Sequence, residues 1–412
     1  MRLDPYRRVL AIAGLRPLLV AAVLARVPVT MTAVTLTLHV VLNLDRGYGA
    51  AGLVAAAATV GSALGGPLLG RLVDRRGLRL VLAITTVAEA TFWGCAPLLP
   101  YPALLGFALL GGLLTLPVFS VVRQSLAALV PADQRRPAYA LDSMLVEVSF
   151  MVGPALAVLL VTTLSAGTTM WIIGAAMVAA GSTLYLLNPR VRTTQEEAEH
   201  AGPLRRREWL RPELIAMLLI AFATTVVLGG TDVALVAAMR AADEVAWTGV
   251  VFAAWAGVSL VGGFVYGMIA NPPRPVVLLG LLGLATVPIG LGHGWEMLIL
   301  TIIPAGFLCA PTLTATTDVV SRLVPASARG EAMGWHGSAM TAGVACGAPL
   351  AGVVIDHSSP AWGFVAVGAV GLLVAVVFVP LLRRVARADE VPVTETHSTI
   401  DSSGEPRPVC TE

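Results

Sequence analysis

Long apolar segments, each of about 20 residues, recur about a dozen times along the sequence and are separated by short polar stretches. A helix needs about 20 apolar residues to cross the roughly 30 Å hydrocarbon core of a bilayer. Backbone amides inside that core must be hydrogen-bonded within their own segment, whereas the strands of a membrane barrel would show runs of about ten residues of alternating polarity. The sequence therefore predicts an all-α membrane protein. The predicted spans are 17–43, 50–70, 78–99, 102–122, 139–163, 167–188, 213–238, 247–270, 275–293, 297–321, 332–355 and 361–382.

Composition supports this class and excludes several functions. The chain is 57% hydrophobic and only 13% charged, against about 25% charged in a typical soluble domain. All of its basic side chains are arginine, which excludes a P-loop lysine and lysine-linked cofactors. The net charge of +2 gives no indication of a nucleic-acid partner, and the four cysteines lack metal-ligand spacing. We expect no cofactor, no metal site and no catalytic residue, and we do not expect an enzyme.

The arginines indicate the orientation. Twelve spans place both termini on one side, and all arginines except Arg26, Arg46 and Arg240 fall on that side. Positive charge marks cytoplasmic loops, so both termini are predicted to be cytoplasmic in a multi-pass protein of the cell (plasma) membrane. The basic N-terminal segment is interpreted as part of an uncleaved first span.

An internal repeat predicts the domain organisation. Leu129-Val130-Pro131-Ala132 recurs at an offset of 194 as Leu323-Val324-Pro325-Ala326, and the same offset relates Pro117 to Pro311. An even number of spans separates matched positions, so the copies are parallel, as in transporters that rock two bundles about a central site. We predict two six-helix bundles at 1–188 and 213–385, a cytoplasmic linker at 189–212 and a disordered tail at 386–412.

The polar stretch between spans two and three carries a recognisable motif. It reads Gly70-Arg71-Leu72-Val73-Asp74-Arg75-Arg76-Gly77-Leu78-Arg79. This pattern resembles the loop signature of the major facilitator superfamily (MFS). With twelve spans, a 6+6 repeat and a charged linker, the resemblance covers about residues 10–385. It implies the MFS fold, secondary transport and a loop that latches one face of the transporter.

The chemistry of this loop suits a latch. Gly70 permits close helix approach, Asp74 can accept hydrogen bonds from a helix N-terminus or an arginine, and Gly77 permits a tight reversal. Arg75 and Arg79 complete the motif. The alternative is ordinary positive-inside decoration. The matching loop of the second half has Asn271 in place of the aspartate, so that latch is expected to be weaker.

Span five contains Gly153-Pro154, which looks like the motif of drug/proton antiporters of the superfamily. An internal proline removes a helix hydrogen bond, and the glycine lets a neighbouring helix pack at the bend. The match is partial, because Ser149, Ala157 and Val158 stand where the motif has glycines. A purely structural kink is the alternative.

Ionisable residues deep in a span are functional candidates because they are costly to bury there. Arg26 and Glu147 lie at similar depths, and we expect them to pair until a proton or substrate competes for the carboxylate. The alternative is a permanent structural ion pair. Asp142 is expected to pair with Arg123 at the cytoplasmic end of span four. The residue that matches Asp142 in the second half is His336, and histidine titrates in a range suited to proton coupling.

Further candidates would line the transport path. Asp232 and Asp318 lie on spans seven and ten, which line the cavity in the resembling family, although both lie close enough to water to be simple interfacial residues. The apolar candidates are Met31, Phe119, Phe150, Met151, Trp255 and Trp335. An apolar cavity with one or two charges fits hydrophobic or amphipathic cargo. Glu89, deep in span three, receives no role from the sequence.

These features favour proton-coupled export of a small hydrophobic or amphipathic compound by alternating access. Proton-coupled uptake of a nutrient or metabolite is the alternative within transport, and a non-transporting receptor or scaffold is the alternative of another class. The expected partners are a small-molecule substrate, protons and lipid, and the protein is expected to be monomeric.

Overall fold

The computed structural model describes residues 4–193, 196 and 206–389, which form helices joined by turns and contain no strand. The helices are α1 (Asp4–Leu10), α2 (Leu15–Leu42), α3 (Tyr48–Arg76), α4 (Leu78–Cys95), α5 (Tyr101–Leu113), α6 (Val118–Leu129), α7 (Arg135–Thr163), α8 (Ala166–Leu187), α9 (Arg206–Trp209), α10 (Pro212–Ala241), α11 (Thr248–Met268), α12 (Pro275–Thr286), α13 (Trp295–Leu323), α14 (Arg329–His357) and α15 (Pro360–Asp389). The predicted tail lies outside the described residues from residue 390 onward.

Eleven helical segments among the described residues are long and apolar enough to cross a membrane, and one of them, Tyr101–Leu129, comprises both α5 and α6. The predicted ninth span is the exception, because it consists of the 12-residue helix α12 and a 310 helix over Val287–Leu291. At about 1.5 Å per α-helical residue and about 2.0 Å per 310 residue, this segment extends about 28 Å. Its length is therefore close to the roughly 30 Å thickness of a hydrocarbon core.

Span four, predicted as one helix over 102–122, is interrupted in the structure. Helix α5 ends at Leu113 and α6 begins at Val118, so the backbone from Leu114 to Pro117 is not helical. Pro117 has no N–H to continue the ladder, and the amide of Leu116 takes a side-chain acceptor on another helix. The segment Tyr101–Leu129 as a whole is still long and apolar enough to cross a membrane, which agrees with the predicted span, but hydropathy does not register where the helix breaks.

Each half of the chain has its own apolar core. In the first half (residues 4–193), α2 packs on α7 and α8, α3 on α5, and α4 on α8. In the second half (206–389), α10 packs on α14 and α15, α11 on α13, and α12 on α15. Each half has one buried cluster toward the termini and another toward the opposite side.

Many large apolar side chains remain exposed on the outside of the helices. Leu24, Leu64, Val87, Leu186 and Val376 are all more than half exposed. Water would penalise such a surface, whereas hydrocarbon would not, because lipid tails are as apolar as leucine. The arrangement is therefore that of a multi-pass membrane protein.

The two halves meet along a set of helices that we call the seam: α3, α6 and α7 of the first half, and α11, α13 and α14 of the second. Helix α3 packs along α14 through glycines on both sides. A Cβ at Gly70 would overlap the carbonyl of Gly330, and a Cβ at Gly334 would overlap that of Gly66. Small residues let the backbones approach closely at this point.

We predict that Gly112→Ala lowers the stability of the fold, whereas Gly106→Ala on the same helix does not. A methyl group at Gly112 would overlap the carbonyl of Ala58 on α3, and overpacking costs about 1–3 kcal/mol. Gly106 has open space around its Cα, so alanine there should be neutral or stabilise by up to about 1 kcal/mol. Thermal unfolding in detergent provides the measurement, and equal midpoints for the two variants would contradict this packing.

Candidate transport site

Hydrogen bonds between the halves, among the described residues, all lie between the middle of the helices and their ends on the side of the termini. The Tyr6 hydroxyl donates to the carbonyl of Phe264, Arg136 donates to the carbonyl of Ile269, and Arg322 donates to that of Ala132. The corresponding helix ends on the opposite side make none of these contacts. The seam is therefore closed toward the termini.

The predicted loop over residues 70–79 belongs to the end of α3 and the start of α4, with only Gly77 between them, and its Asp74 joins the halves directly. Asp74 Oδ1 accepts from the amide of Gly330 at 2.9 Å, and Asp74 Oδ2 accepts from the amide of Glu331 at 2.8 Å. These are two of the free amides at the N-terminus of α14, where a negative charge is favourable. Gly77 ends α3 with a φ of 85°, in the left-handed region that favours glycine.

The two arginines of this motif have different surroundings. Arg75 is exposed. The guanidinium of Arg79 lies over the ring of Tyr185, 5.7 Å from its centroid, and so contacts α8 of its own half. The contacts of this motif across the seam come instead from Asp74 and from Arg71, whose Nε lies 3.7 Å from Glu331 Oε2.

Residues of the predicted linker contact the end of α3 and the start of α14 at this point. Arg192 donates to the backbone carbonyl of Asp74, Arg206 pairs with Glu331 at 2.7 Å, and Glu196 pairs with Arg329 at 2.8 Å. Burial raises the pKa of Glu196, but hydrogen bonds from Arg329 and from the Thr193 amide outweigh it, so the pKa lies below its ordinary value. Glu196 therefore remains ionised at neutral pH and keeps its pair with Arg329.

A buried charge network extends from α2 across the seam to α14. Arg26 Nη2 lies 2.7 Å from Asp142 Oδ1, and Arg123 Nε lies 3.8 Å from Asp142 Oδ2. All three side chains are less than a tenth exposed. Arg123 also reaches His336 Nδ1 at 3.4 Å, and His336 Nε2 lies 3.1 Å from Thr316 Oγ1. An arginine can only donate, so Nδ1 accepts and the proton of the neutral ring resides on Nε2.

The expected pair of Arg26 with Glu147 does not form in the structure, which corrects that prediction. Arg26 pairs with Asp142 instead, and its guanidinium carbon lies 5.0 Å from the ring centroid of Phe119. Depth along a helix locates a Cα atom, but the long arginine side chain carries its charge elsewhere. Asp142 and Glu147 also point about 140° apart on α7, so only one of them can face α2.

Glu147 instead contacts the second half of the chain. Near the middle of α7, its Oε1 accepts from Ser259 Oγ at 3.0 Å and from Cys309 Sγ at 3.4 Å. Ser259 belongs to α11 and Cys309 to α13, so one carboxylate oxygen joins three helices of the seam. Within the described residues Glu147 has no further hydrogen-bond partner, so its Oε2 accepts none there.

The acidic candidates of the second half occupy different settings. Asp232 is exposed and lines a cavity of about 650 Å³ together with Val236, Arg240, Phe252 and Asp356. This cavity lies toward the ends of α10 and α14 that are remote from the termini. Asp318 pairs with Arg322 at 3.0 Å on its own helix, so its described ion pair does not face this cavity.

The apolar candidates are divided between core, seam and surface. Met31 and Trp255 are buried in the cores of their own halves, and their place along the path stays a prediction. Phe119 lies beside Arg26 and 6.4 Å from Phe150 between ring centroids. Trp335 is 39% exposed, and Phe150 and Met151 are also exposed.

Gly153 and Pro154 lie inside α7, where α7 packs on α2. A Cβ at Gly153 would overlap Thr30 Oγ1, and Thr30 in turn donates to the carbonyl of Ser149 at 2.8 Å. The Gly-Pro pair therefore brings α2 and α7 together about two turns beyond Glu147. Sequence reasoning missed Ser259 and Cys309, although the repeat offers a signal: Cys309 occupies the position equivalent to Thr115, which also donates to a buried carboxylate.

The class defined by this fold is an all-helical transporter whose halves meet at polar residues near the middle of the helices. A family model described as the Major Facilitator Superfamily matches residues 18–272 and 233–408. The chain belongs to this superfamily and is therefore a secondary transporter. It is 28% identical over 406 residues to an uncharacterized MFS-type transporter, y4rN, of Sinorhizobium fredii, a match that covers 90% of this chain and 95% of that protein.

Solved structures share the fold at low identity. The human organic anion transporter MFSD10 (TETRAN) is 18% identical with a TM-score of 0.68, over 90% of this chain and 98% of that one. A bacterial homologue of the iron transporter ferroportin in an outward-facing state is 15% identical with a TM-score of 0.67, over 90% and 100%. The proton:xylose symporter XylE is 16% identical with a TM-score of 0.64, over 90% and 94%.

We predict that Asp142→Asn destabilises the protein more than Arg26→Met does. The neutral amide of the first variant would leave Arg26 and Arg123 buried without a counter-charge, and breaking a buried pair costs about 3–5 kcal/mol. Removing Arg26 leaves Asp142 with Arg123, so the cost should be smaller. Thermal unfolding of the purified proteins tests the order, and a larger loss for Arg26→Met would contradict the network.

We also predict that Asp74→Ala opens the seam toward the termini. The two charge-assisted hydrogen bonds to α14 contribute about 1.5–3 kcal/mol each, and about 1.4 kcal/mol corresponds to a tenfold change in an equilibrium. A reporter cysteine at Ser143, buried against Thr314 across the seam, should react at least about tenfold faster with an impermeant maleimide.

The native cysteines are replaced by serine in this experiment, and Asp133→Ala is the matched control. Asp133 is an exposed carboxylate on the same side of the protein. Equal labelling rates in the Asp74 and Asp133 variants would show that the loop does not hold the seam closed.

Proposed function

We propose that this protein is a proton-coupled transporter that exports a small hydrophobic or amphipathic compound by alternating access. The observation that carries the proposal is Glu147, a carboxylate in the middle of α7 that bonds Ser259 and Cys309 of the opposite half. A group that joins the halves and can also exchange a proton couples protonation to their separation.

The proposed architecture is twelve spans in two bundles, residues 1–188 and 213–385, with the linker 189–212 and both termini in the cytoplasm. The length of the α12 segment and the arginine distribution support it. In this orientation the closed seam faces the cytoplasm and the Asp232 cavity faces outward. The conformation is then outward-facing, with Gly70, Asp74 and Gly77 forming part of the cytoplasmic gate.

Protonation of Glu147 would weaken this conformation. A carboxylate accepts stronger hydrogen bonds than a neutral acid, about 1.5–3 against about 0.5–1.5 kcal/mol. A proton arriving from outside would therefore weaken both bonds from the second half and favour reorientation toward the cytoplasm. Release of the proton there, with cargo taken up, would return the protein to the outward-facing state. That cycle is antiport.

The surrounding network gives the coupling a second element. Asp142 holds Arg26 and Arg123 on the first half, and Arg123 reaches His336 on the second. Separation of the halves would move Arg123 away from His336, and the Nδ1 atom of His336 could then accept a proton. We propose that His336 and Asp142 respond to the state of the seam while Glu147 carries the exchanged proton.

The cavity supports an amphipathic cargo. Most of its lining is apolar, with Val236 and Phe252 among its walls, and its charges are Asp232, Asp356 and Arg240. A few charges in an apolar wall favour a molecule with an apolar body and one polar end. Proton-coupled symport is the competing proposal, because a proton:xylose symporter shares the fold with a TM-score of 0.64.

We predict that Glu147→Gln abolishes proton coupling while the protein still folds in the membrane. Glutamine retains an oxygen that can accept from Ser259 but cannot exchange a proton at neutral pH. Vesicles containing the protein and a pH dye are challenged with lipophilic cations, antibiotics, sugars and organic acids. A lipophilic compound should dissipate an imposed pH gradient through the wild-type protein and not through the variant.

Asp318→Asn is the matched control, because the ion pair of Asp318 with Arg322 lies within its own helix. Retained proton flux in the Glu147 variant would remove that residue from the mechanism. Proton flux with only a polar metabolite would establish symport, and no flux with any compound would contradict proton-coupled transport of these classes.

A further inference from the structure

Glu89 is a buried carboxylate that the proposed mechanism does not use. It lies on α4, is 4% exposed and forms no ion pair with any described residue. Its oxygens accept three hydrogen bonds: Oε2 from Trp93 Nε1 at 2.8 Å, and Oε1 from Thr115 Oγ1 at 2.8 Å and from the Leu116 amide at 2.9 Å. Two of the three donors lie in the interruption between α5 and α6.

The interruption leaves the Leu116 amide without a backbone acceptor, and Glu89 accepts its hydrogen bond. In an unbroken helix the Leu116 amide would bond the carbonyl of Gly112, but that carbonyl accepts from Thr115 instead. Pro117 has no amide, and the Val118 amide turns back to the carbonyl of Leu116. An unsatisfied amide inside a bilayer costs several kcal/mol. Glu89 therefore supplies the acceptor that the broken helix lacks.

The repeat provides an internal comparison. Asp74 matches Asn271 at an offset of 197 and Pro117 matches Pro311 at an offset of 194, so the counterpart of Glu89 lies within 283–286, where no residue is acidic. The second half thus keeps the proline but has no carboxylate, and there α13 runs unbroken from Trp295 to Leu323. The half that has the carboxylate is the half whose helix is interrupted, although both copies contain the proline.

The interruption determines where α6 points, and α6 carries Arg123. That side chain contacts Asp142 on its own half and His336 across the seam. A change in the path of the backbone at residues 114–117 would move the whole of α6 and with it this guanidinium. Glu89 acts on the charge network through the backbone, since its described hydrogen bonds reach Trp93, Thr115 and Leu116 only.

We propose that Glu89 is a positioning residue that holds span four interrupted and thereby places Arg123 between Asp142 and His336. This proposal rests on the proposed function for its consequence, which is proton coupling, but its structural part stands separately. Glu89 needs to be an acceptor and does not need to exchange a proton. The role therefore differs from the one proposed for Glu147.

The experiment compares Glu89→Ala, Glu89→Gln and the control Thr85→Ala. Thr85 lies one turn earlier on α4, is fully buried and bonds only carbonyls of its own helix. Hydrogen exchange of the full-length protein measures the amides of 114–124. Glu89→Ala should speed their exchange by about tenfold or more, because the Leu116 amide loses its acceptor, while Thr85→Ala should leave them unchanged.

The second readout is the pH dependence of proton flux in the same vesicles. Glu89→Ala should shift its midpoint by about half a pH unit or more, since Arg123 would no longer be held against Asp142 and His336. Glu89→Gln should restore most of both properties, because its amide oxygen can still accept from Leu116 and Thr115. Loss of coupling in Glu89→Gln equal to that in Glu89→Ala would identify Glu89 as a proton carrier and overturn the positioning role.

The remaining outcomes separate this proposal from the proposed function. Unchanged exchange at 114–124 in Glu89→Ala overturns the inference whatever the flux. Faster exchange with an unchanged pH profile overturns the link to Arg123. A wild-type protein without proton flux contradicts the proposed function, and the exchange data then decide whether Glu89 holds the interruption.

Discussion

A polar group inside the hydrocarbon core has to find its partner within the protein, and this constraint organises the polar interior of the described structure. Asp142 lies between Arg26 and Arg123, Glu147 is bonded by Ser259 and Cys309, and Glu89 receives the free amide of Leu116. In each case the partner lies on another span, on a helix for Asp142 and Glu147 and in the interruption of span four for Glu89. The polar contacts therefore fix the positions of these helices relative to one another more specifically than apolar packing alone would.

These three sites connect different parts of the fold. The Glu89 contacts stay within the first half, the Glu147 contacts cross to the second, and the network of Asp142 does both through Arg123 and His336. Contacts within a half can persist during transport, whereas contacts across the seam have to break. A transporter needs the latter to be individually modest, and hydrogen bonds of about 1–3 kcal/mol satisfy that requirement.

The two halves show how a repeat can diverge while its helices keep their order. Asp74 lies in the last turn of α3 and accepts hydrogen bonds from the N-terminus of α14, whereas the second half has Asn271 at the matching place. The second half has no acidic residue at the positions matching Glu89, and of the two proline-containing spans four and ten only span four is interrupted. Thr115 and Cys309 keep equivalent donor positions but serve carboxylates in different settings. These differences between the halves all involve polar positions.

The sequence by itself determined the helical class, eleven of the long spans, the repeat and the loop around Asp74, because the bilayer acts on each segment separately and local hydropathy is enough to locate it. Only the tertiary structure decided that Arg26 meets Asp142 rather than Glu147, and that Glu147 meets Ser259 and Cys309. Those pairings depend on the reach of a side chain and on the rotation of one helix against another, which depth along a single helix does not contain. The sequence did not predict the interruption at Leu114–Pro117 either, because Pro117 and Pro311 look equivalent in the sequence. Only the structure shows that Glu89 accepts from the Leu116 amide at the interruption, whereas the helix that contains Pro311 is continuous.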